Sequence, residues 1–375
     1  MNSPAELLGK LIAIPSVSPD GDPGTDRVGE AACAEFIAGF LEGIGAEARL
    51  EEVRPGRPNV IGDFAGGAGK ERLVFAPHVD TVSVAGMTID PFGGRLKGGR
   101  IWGRGASDTK GTMAAMLWAL KELRDEIPDL ACGVSFVGLM GEETDQAGSQ
   151  DFGAKYGGDF AFAVVGEPTG NDIVHKHKGC LWGIIQAHGR AAHGAKPELG
   201  DSAIRKGAQI ALDLESEFRD FLARDRDPVL GSATVNVGRI WGGSRANIVP
   251  DRCSLEIDVR IVPATDQAAV EAKVREIAGR HDPAAQVAFP QPKLPLDTPS
   301  DHPYVQRLLA ANPSSNLVGA PWFCDAAYLS DAGIPSIAAG PGSIDQAHTA
   351  DEWLAEDDLN AGVVFYRNFL ESFRL

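Results

Sequence analysis

Four apolar segments of this sequence each lead to residues that can bind metal ions. The first three are followed by His78, by the pair Glu142 and Glu143, and by Glu167, and the fourth leads to His348. Because the carboxyl ends of parallel strands meet at one edge of an open α/β sheet, we expect these side chains to converge. Imidazole nitrogens combined with carboxylate oxygens suit Zn²⁺ or a similar first-row ion better than Ca²⁺ or Mg²⁺.

A fifth candidate ligand, Asp108, lies in a glycine-rich loop just before a predicted helix. Five ligands are too many for one zinc ion that keeps an open coordination position, but they suit two ions that share a carboxylate. Such a pair promotes the attack of water on a carbonyl or phosphoryl group. Asp80 follows His78 by two residues and is expected to orient its ring. The doublet Glu142 and Glu143 offers one carboxylate for the metal and one as general base.

Taken one at a time, these residues have ordinary structural explanations. A histidine two residues before an aspartate is a weak pattern, and an acidic pair often begins a helix, where the helix dipole favours it. Glu167 precedes a proline and suits a turn, and His348 could cap the helix that follows it. The same kind of residue nevertheless recurs four times at the same structural place, and this recurrence favours the metal site.

The segments that must position these residues alternate between strands and helices. Continuous apolar runs predict buried strands over residues 73–77, 134–140, 160–165 and 334–340. Helices are predicted over 111–127, where apolar residues recur at i, i+3, i+4 and i+7, and over 357–373, which begins with acidic residues. This alternation predicts an α/β fold in which helices flank a mostly parallel sheet.

The middle of the chain has a different pattern. Strands and helices are predicted there in the order β-α-β-β-α-β, over residues 180–188, 201–223, 233–240, 252–261, 267–280 and 286–289. That order is typical of a ferredoxin-like α+β domain. We therefore predict a discontinuous α/β domain over 1–179 and 292–375, which carries the metal site, with a small domain inserted over 180–291.

Length and composition restrict the possible functions. The 375 residues are enough for two domains, and 43% hydrophobic with 23% charged residues is typical of a globular protein. The net charge of −17 and the absence of a basic run argue against nucleic acid or a membrane as partner.

We find no apolar stretch of about 18 residues and no secretory signal. Five scattered cysteines without a C-x-x-C pair predict a reducing, cytoplasmic location.

Six segments, taken together and in order, make this sequence similar to the M20 metallopeptidase family. They are LVFAPHVDTV, GRGASDTKGTMAAML, VGLMGEETDQAGS, VVGEPTG, HGRAAHGAKPELGDSAI and GPGSIDQAHTADEW. The similarity extends from about Leu7 to the C-terminus. The family includes acetylornithine deacetylase, succinyl-diaminopimelate desuccinylase, aminoacylase-1 and glutamate carboxypeptidase of the G2 type. The last segment looks most like that of the acetylornithine deacetylase branch.

The resemblance implies a ligand for each position of a two-metal site. His78 and Glu167 would hold one ion, Glu143 and His348 the other, and Asp108 would bridge them. The two divalent ions of each chain would be Zn²⁺, with Co²⁺ as the alternative. The family motif after the bridging aspartate usually reads M-K-G, and the threonine in place of methionine here leaves the ligand unchanged.

The resemblance also implies roles for residues that are not ligands. Glu142 would be the general base, and His193 would help to stabilise the oxyanion. Arg260 and Asn247 match positions of a lid that contact substrate, and an arginine can hold a carboxylate through two parallel hydrogen bonds. The inserted domain would serve as the lid and as the dimerisation domain. His193 would then reach into the active site of the partner in a homodimer.

We therefore expect a two-metal amide hydrolase that removes an acyl group from the nitrogen of an amino acid. A desuccinylase, or a carboxypeptidase or dipeptidase acting on short peptides, would use the same centre. An alternative of another class is a non-catalytic homologue that serves as a binding module, but such a protein would be expected to lack a ligand or the base. Without a G-x-S-x-G motif, or a G-x-G-x-x-G motif after the first strand, serine hydrolysis and nicotinamide chemistry are not supported.

Overall fold

The computed structural model describes residues 1–66 and 71–375, which form two compact units. The first unit comprises Met1–His175, Thr298–Val318 and Cys324–Leu375, and the second comprises Lys176–Asp297 and Gly319–Phe323. The second unit extends beyond the predicted limits of 180 and 291, because Leu296 and Asp297 pair with His177 and Lys176. Within the residues described, no helix is long and apolar enough to cross a membrane.

The secondary structure of both units is numbered here in chain order. The helices are α1 (Pro4–Ala13), α2 (Ala31–Gly43), α3 (Lys110–Leu123), α4 (Ala147–Tyr156), α5 (Ala203–Asp213), α6 (Arg219–Leu222), α7 (Gln267–His281), α8 (Pro303–Ala311), α9 (Ala326–Asp331) and α10 (Glu356–Glu371). The strands are β1 (Ala46–Arg54), β2 (Arg57–Phe64), β3 (Arg72–Pro77), β4 (Arg95–Lys97), β5 (Arg100–Trp102), β6 (Gly133–Gly138), β7 (Phe162–Gly166), β8 (Ile173–His177), β9 (Gly179–His188), β10 (Arg226–Asp227), β11 (Gly231–Ser232), β12 (Thr234–Gly242), β13 (Arg252–Ile261), β14 (Gln286–Ala288), β15 (Leu296–Asp297), β16 (Leu317–Ala320), β17 (Ser336–Ala339) and β18 (Trp353–Ala355).

The first unit is built on a mixed sheet with the strand order β1-β2-β6-β3-β7-β17-β8. The four central strands β6, β3, β7 and β17 are parallel to one another. The flanking strands β2 and β8 pair with them in antiparallel fashion, and β1 pairs antiparallel with β2. The predicted α/β class is therefore confirmed, and its parallel part is the centre of the sheet, which carries the predicted ligands.

Both faces of the central strands are covered. Along β3, Leu73 and Phe75 belong to the core formed with α1, α2, α3 and α10, whereas Val74 and Ala76 point to the other face. On that face α4 and α9 pack together and against strands of the sheet. Helix α3 is buried more deeply than an amphipathic pattern predicts, since all of its residues from Lys110 to Leu120 are buried. Helices α1 and α10 both pack against α3.

The second unit contains a four-stranded antiparallel sheet with the order β12-β13-β9-β14. Its elements follow the chain in the predicted β-α-β-β-α-β order, with α5 and α7 packed against each other. Alternate residues of β9 and β13 are buried, so one face of the sheet forms the core of this unit. Strand β12 lies at one edge of the sheet and is mostly exposed.

Candidate metal centre

The candidate ligands of the first unit follow the carboxyl ends of its parallel strands. His78 is the residue after β3, Glu167 is the residue after β7, and Glu142 and Glu143 follow the short segment after β6. Gly141 precedes the acidic pair with a φ of 75°, a backbone conformation that glycine adopts without the steric cost that a side chain adds. The sheet and this turn thus place the side chains at one edge, as the sequence predicts.

Asp108 lies between two histidines. Its Oδ1 is 3.1 Å from Nε2 of His78, and its Oδ2 is 3.3 Å from Nε2 of His348. The same His348 nitrogen is 3.2 Å from Oε2 of Glu143. Ligand atoms around a tetrahedral zinc ion with bonds of about 2.0 Å are about 3.3 Å apart. The side chains are therefore spaced as ligands of shared ions, and each oxygen of Asp108 faces a different histidine.

The donor atoms of this cluster fit divalent cations. His78, Asp108 and Glu143 each offer an atom within 4.8 Å of the others. Oε1 of Glu143 and Oε1 of Glu167 are buried and have no hydrogen-bond partner. Glu167 lies outside the close group of three, although its charge interacts with Asp108 and His78. Because buried carboxylate oxygens are unfavourable unless they are paired or coordinate a metal, these two oxygens match the proposed role of their residues.

The acids of the cluster strongly affect one another's protonation. Burial raises the pKa of Glu142 and of Glu167 well above the usual range, and nearby carboxylates add to the rise. Burial, followed by the charge of Asp108, raises the pKa of Glu143 to about 7. Hydrogen bonds to Asp108 and Glu143 raise the pKa of His348 to about 10. A buried cluster of this many ionisable groups requires bound cations or shared protons to balance its charge.

Asp80 is fully buried and holds the acidic pair in place. Its Oδ1 accepts a hydrogen bond from the backbone N–H of Glu142 at 3.0 Å, and its Oδ2 accepts one from the backbone N–H of Glu143 at 3.1 Å. Nδ1 of His78 is 2.9 Å from the backbone oxygen of Asp80 but 3.5 Å from its carboxylate. The His78 ring is thus oriented mainly by a main-chain carbonyl, because the carboxylate is directed at the two N–H groups.

Sequence reasoning missed Glu352, a fully buried residue that supports the Asp108 loop. Its Oε1 accepts hydrogen bonds from the backbone N–H groups of Ser107 and Asp108 at 2.8 and 2.9 Å. Its Oε2 accepts from the N–H of Gly105 and from Nη1 of Arg104, both at 2.9 Å. The only indication in the sequence was an acidic residue in the segment HTADEW. Acids are common near the start of a helix, and the sequence does not show which backbone N–H groups this one accepts from.

Two of the predicted residues of the second unit lie side by side. The N–H of Gly194 donates to the backbone oxygen of Asn247 at 2.7 Å, and His193 pairs with Ile248 in a β-bridge. His193 is exposed, and its Nδ1 accepts a hydrogen bond from the N–H of Ala195 at 3.1 Å. In the neutral ring the proton is therefore on Nε2, which can donate to an oxygen atom.

The third predicted residue of the second unit, Arg260, is already paired. Its Nε and Nη2 donate to the two carboxylate oxygens of Asp258 at 2.8 and 2.9 Å, and its guanidinium group lies 5.5 Å from the ring centre of Phe323. Three of the five N–H groups of the guanidinium remain available for another acceptor. The bidentate pair fixes the orientation of the guanidinium group.

Comparison with known proteins agrees with the similarity noted in the sequence. The profile of peptidase family M20/M25/M40 matches residues 74–372. An acetylornithine deacetylase of Proteus mirabilis is 31% identical over 93% of this chain and 91% of its own length. A probable carboxypeptidase of Aspergillus clavatus is also 31% identical, over 91% of this chain and 84% of its own length. A probable succinyl-diaminopimelate desuccinylase of Staphylococcus epidermidis is 24% identical over 93% of this chain and 94% of its own length.

Solved structures share the fold over nearly the whole chain. An M20 family metallo-carboxypeptidase from Sulfolobus solfataricus superposes with a TM-score of 0.78 at 19% identity, covering 100% of both chains. A Bacillus subtilis protein described as a dinuclear metal-binding peptidase of the M20 family superposes with a TM-score of 0.70 at 18% identity, covering 98% of both chains. This chain belongs to the M20/M25/M40 peptidase family and is a hydrolase that acts on amide or peptide bonds.

Proposed function

We propose that this protein is a two-metal amide hydrolase that removes an acyl group from the nitrogen of an amino acid. The observation that carries the proposal is the position of Asp108, whose two oxygens each face a different histidine, His78 and His348. Acetylornithine deacetylases recur among the similar proteins, at 27% to 31% identity, and this recurrence supports an N-acyl amino acid as substrate. A non-catalytic binding module would not need the complete set of ligands together with a buried acid beside them.

The proposed ligands divide between two ions. His78 and Glu167 would hold the first, Glu143 and His348 would hold the second, and Asp108 would contribute to both. Zn²⁺ is the proposed ion and Co²⁺ the alternative, because a mixture of imidazoles and carboxylates suits both. When bound here, two such ions lower the pKa of a water molecule and polarise the carbonyl group of the substrate.

Glu142 is the proposed general base. It accepts a proton as water attacks the amide carbon, and it then returns that proton to the leaving nitrogen. Its charge interacts with those of His78 and Glu143, while Asp80 holds its backbone N–H. His193 is proposed to donate from Nε2 to the oxyanion.

The identities of the relatives do not separate an acyl substrate from a peptide, since a deacetylase and a probable carboxypeptidase match equally well. The decisive experiment is to load the enzyme with Zn²⁺ or Co²⁺ and measure kcat/KM for N-acetylated, N-succinylated and dipeptide substrates. We expect the N-acetyl amino acids to be hydrolysed fastest. Cleavage of dipeptides alone would establish the peptidase alternative, and no cleavage with two ions bound would contradict the proposed substrate class.

Arg260 is proposed to bind the carboxylate of the substrate together with Asn247. Replacing Arg260 by lysine should raise KM roughly 10-fold or more for carboxylate-bearing substrates, because a lysine cannot form the two parallel hydrogen bonds. A matched control is Arg239→Lys, since Arg239 likewise pairs with an acid of β13, Glu256, but is far more exposed. An unchanged KM in the Arg260 variant would count against the proposed contact.

We further propose a cytoplasmic homodimer formed through the second unit. The five cysteines are buried, and no disulfide joins them, as in a reducing compartment. Strand β12 has an exposed edge, and Ile240 and Trp241 on it are 47% and 45% exposed. Such an edge is suited to pair with a second chain. In this dimer His193 serves the active site of the other subunit.

The role of His193 can be tested by mixing two inactive variants. One subunit carries Glu142→Gln and the other carries His193→Ala, and the mixture is unfolded and refolded together or co-expressed. If His193 acts across a two-fold dimer, one site of each mixed dimer has both residues, so about a quarter of the wild-type activity returns. If His193 acts within its own chain, every site lacks one residue and no activity returns.

A further inference from the structure

The loop that carries Asp108 is held in place by protein groups on both sides. Glu352, which lies 244 positions away in the sequence, accepts hydrogen bonds from the N–H groups of Ser107 and Asp108 through one oxygen. Its other oxygen accepts from Gly105 and from the guanidinium of Arg104, which partly balances the buried charge. Two of the four donors belong to Asp108 itself and to the residue before it, so Glu352 acts on the backbone of the candidate bridging ligand.

The other end of the loop is fixed independently of Glu352. Lys110 is fully buried, and its Nζ donates to the backbone oxygens of Leu11 and Ile14 at 2.9 and 2.7 Å. The hydroxyl of Thr109 donates to the backbone oxygen of Gly166 at 2.8 Å, which ties the loop to the end of β7. Residues beyond Asp108 therefore have their own attachments. In the part up to Asp108, Glu352 holds the backbone N–H groups, and the hydroxyl of Ser107 also donates to the backbone oxygen of Ser343 at 3.2 Å.

We infer that Glu352 is a positioning residue, which sets the Asp108 carboxylate for two cations before they bind. It acts through the backbone of Asp108 and touches no reacting atom. This inference rests on the proposed two-metal function, in which Asp108 bridges the ions. Partners that orient a metal ligand typically change metal affinity or activity 10- to 100-fold when they are removed, so we expect an effect of roughly that size here.

The test compares metal affinity in Glu352→Gln and Glu352→Ala with that of the wild-type chain. Zn²⁺ or Co²⁺ is titrated in competition with a chromogenic chelator, and the visible absorption of bound Co²⁺ reports the ligand geometry. Glutamine keeps one acceptor oxygen but places an NH₂ group against other donors, so its loss of affinity should be smaller than that of alanine. We expect about 10-fold weaker binding for glutamine, about 100-fold for alanine, and an altered Co²⁺ spectrum in both.

A matched control distinguishes an acid that positions a metal ligand from an acid that only stabilises the fold. Asp227 is also a buried acid that accepts hydrogen bonds from two backbone N–H groups, those of Val229 and Leu230, and pairs with Lys176. Asp227→Asn should lower thermal stability but leave metal affinity and the Co²⁺ spectrum unchanged. If folded Glu352→Gln likewise binds metal with wild-type affinity and spectrum, Glu352 supports stability only and the inference is wrong.

A second measurement decides the question even if the Glu352 variants do not fold. Hydrogen exchange of the wild-type peptide containing residues 103–111 is compared with and without metal. If Glu352 holds the N–H groups of Ser107 and Asp108 before metal binds, this peptide should already be protected in the metal-free chain. Protection that appears only with metal would overturn the inference. A wild-type chain that binds no divalent ions would instead contradict the proposed function itself, and the inference with it.

Discussion

Replacing Glu142 by glutamine should lower kcat by about 10²- to 10⁴-fold, the usual contribution of a general base, while two ions per chain are retained. The reason is that glutamine cannot accept the proton of the attacking water, although it has nearly the same size. In the structure, Glu142 is 8% exposed and lies beside the ligands, and its backbone N–H is held by Asp80. The measurements are steady-state kinetics and metal content per chain.

The neighbouring acid provides the control. Glu143→Gln alters the residue whose Oε2 is 3.2 Å from His348 and whose Oε1 is buried without a partner. This variant should lose metal as well as activity, because a ligand oxygen is replaced. The pair of variants thus distinguishes a base from a ligand at adjacent positions. Loss of metal from Glu142→Gln would reassign Glu142 as a ligand and leave the reaction without an identified base.

Removing metal should abolish activity and lower the thermal stability of the enzyme. Ligands that bind only the folded state at 100 times their dissociation constant stabilise it by about 2.7 kcal/mol, which corresponds to roughly 5 to 10 °C in Tm for a unit of this size. The buried acids around Asp108 increase the effect, since they repel one another once the cations are gone. Activity and Tm are measured before and after dialysis against a chelator, and again after Zn²⁺ or Co²⁺ is restored.

Asp108→Asn is the matched control for this experiment. It removes the charge of the proposed bridging ligand but keeps the size of the side chain, so it should bind metal poorly and show little change of Tm on chelation. Equal responses of the variant and the wild-type chain would place the stabilising ions elsewhere. A wild-type enzyme that keeps its activity and Tm without metal would contradict the two-metal proposal.

Local sequence patterns were sufficient to predict the elements that carry the site. The apolar runs before His78 and Glu167 have strand lengths and end at turn residues, and the observed β3 and β7 match them within a few residues. The strands converge because parallel strands share one edge, which is a general rule and needs no knowledge of distant contacts. The positions of the candidate ligands could therefore be expected from the sequence, while their roles as ligands, the identity of the ions and the lid and dimer roles stay predictions.

The contacts that support the ligands could not be predicted, because their partners lie far away in the chain. Lys110 looks like a solvated residue at a helix start, but its amino group reaches carbonyls at the end of α1. Glu352 looks like one acid among several, but it faces backbone N–H groups that are distant in sequence. Asp80 was expected to face a histidine ring, and its carboxylate binds the backbone of Glu142 instead. Each depends on the tertiary packing, which no local pattern encodes.

The strand order of the first unit has a consequence for how this protein is synthesised. Strand β17 lies between β7 and β8, although the ribosome adds it more than 150 residues after them. Residues 176–297 make up most of the second unit and emerge before β17, so most of this unit can fold while the sheet of the first is still incomplete. A nascent chain that stops before residue 336 lacks a central strand and His348, so neither the sheet nor the candidate metal site can be finished until residues 336–348 have been synthesised.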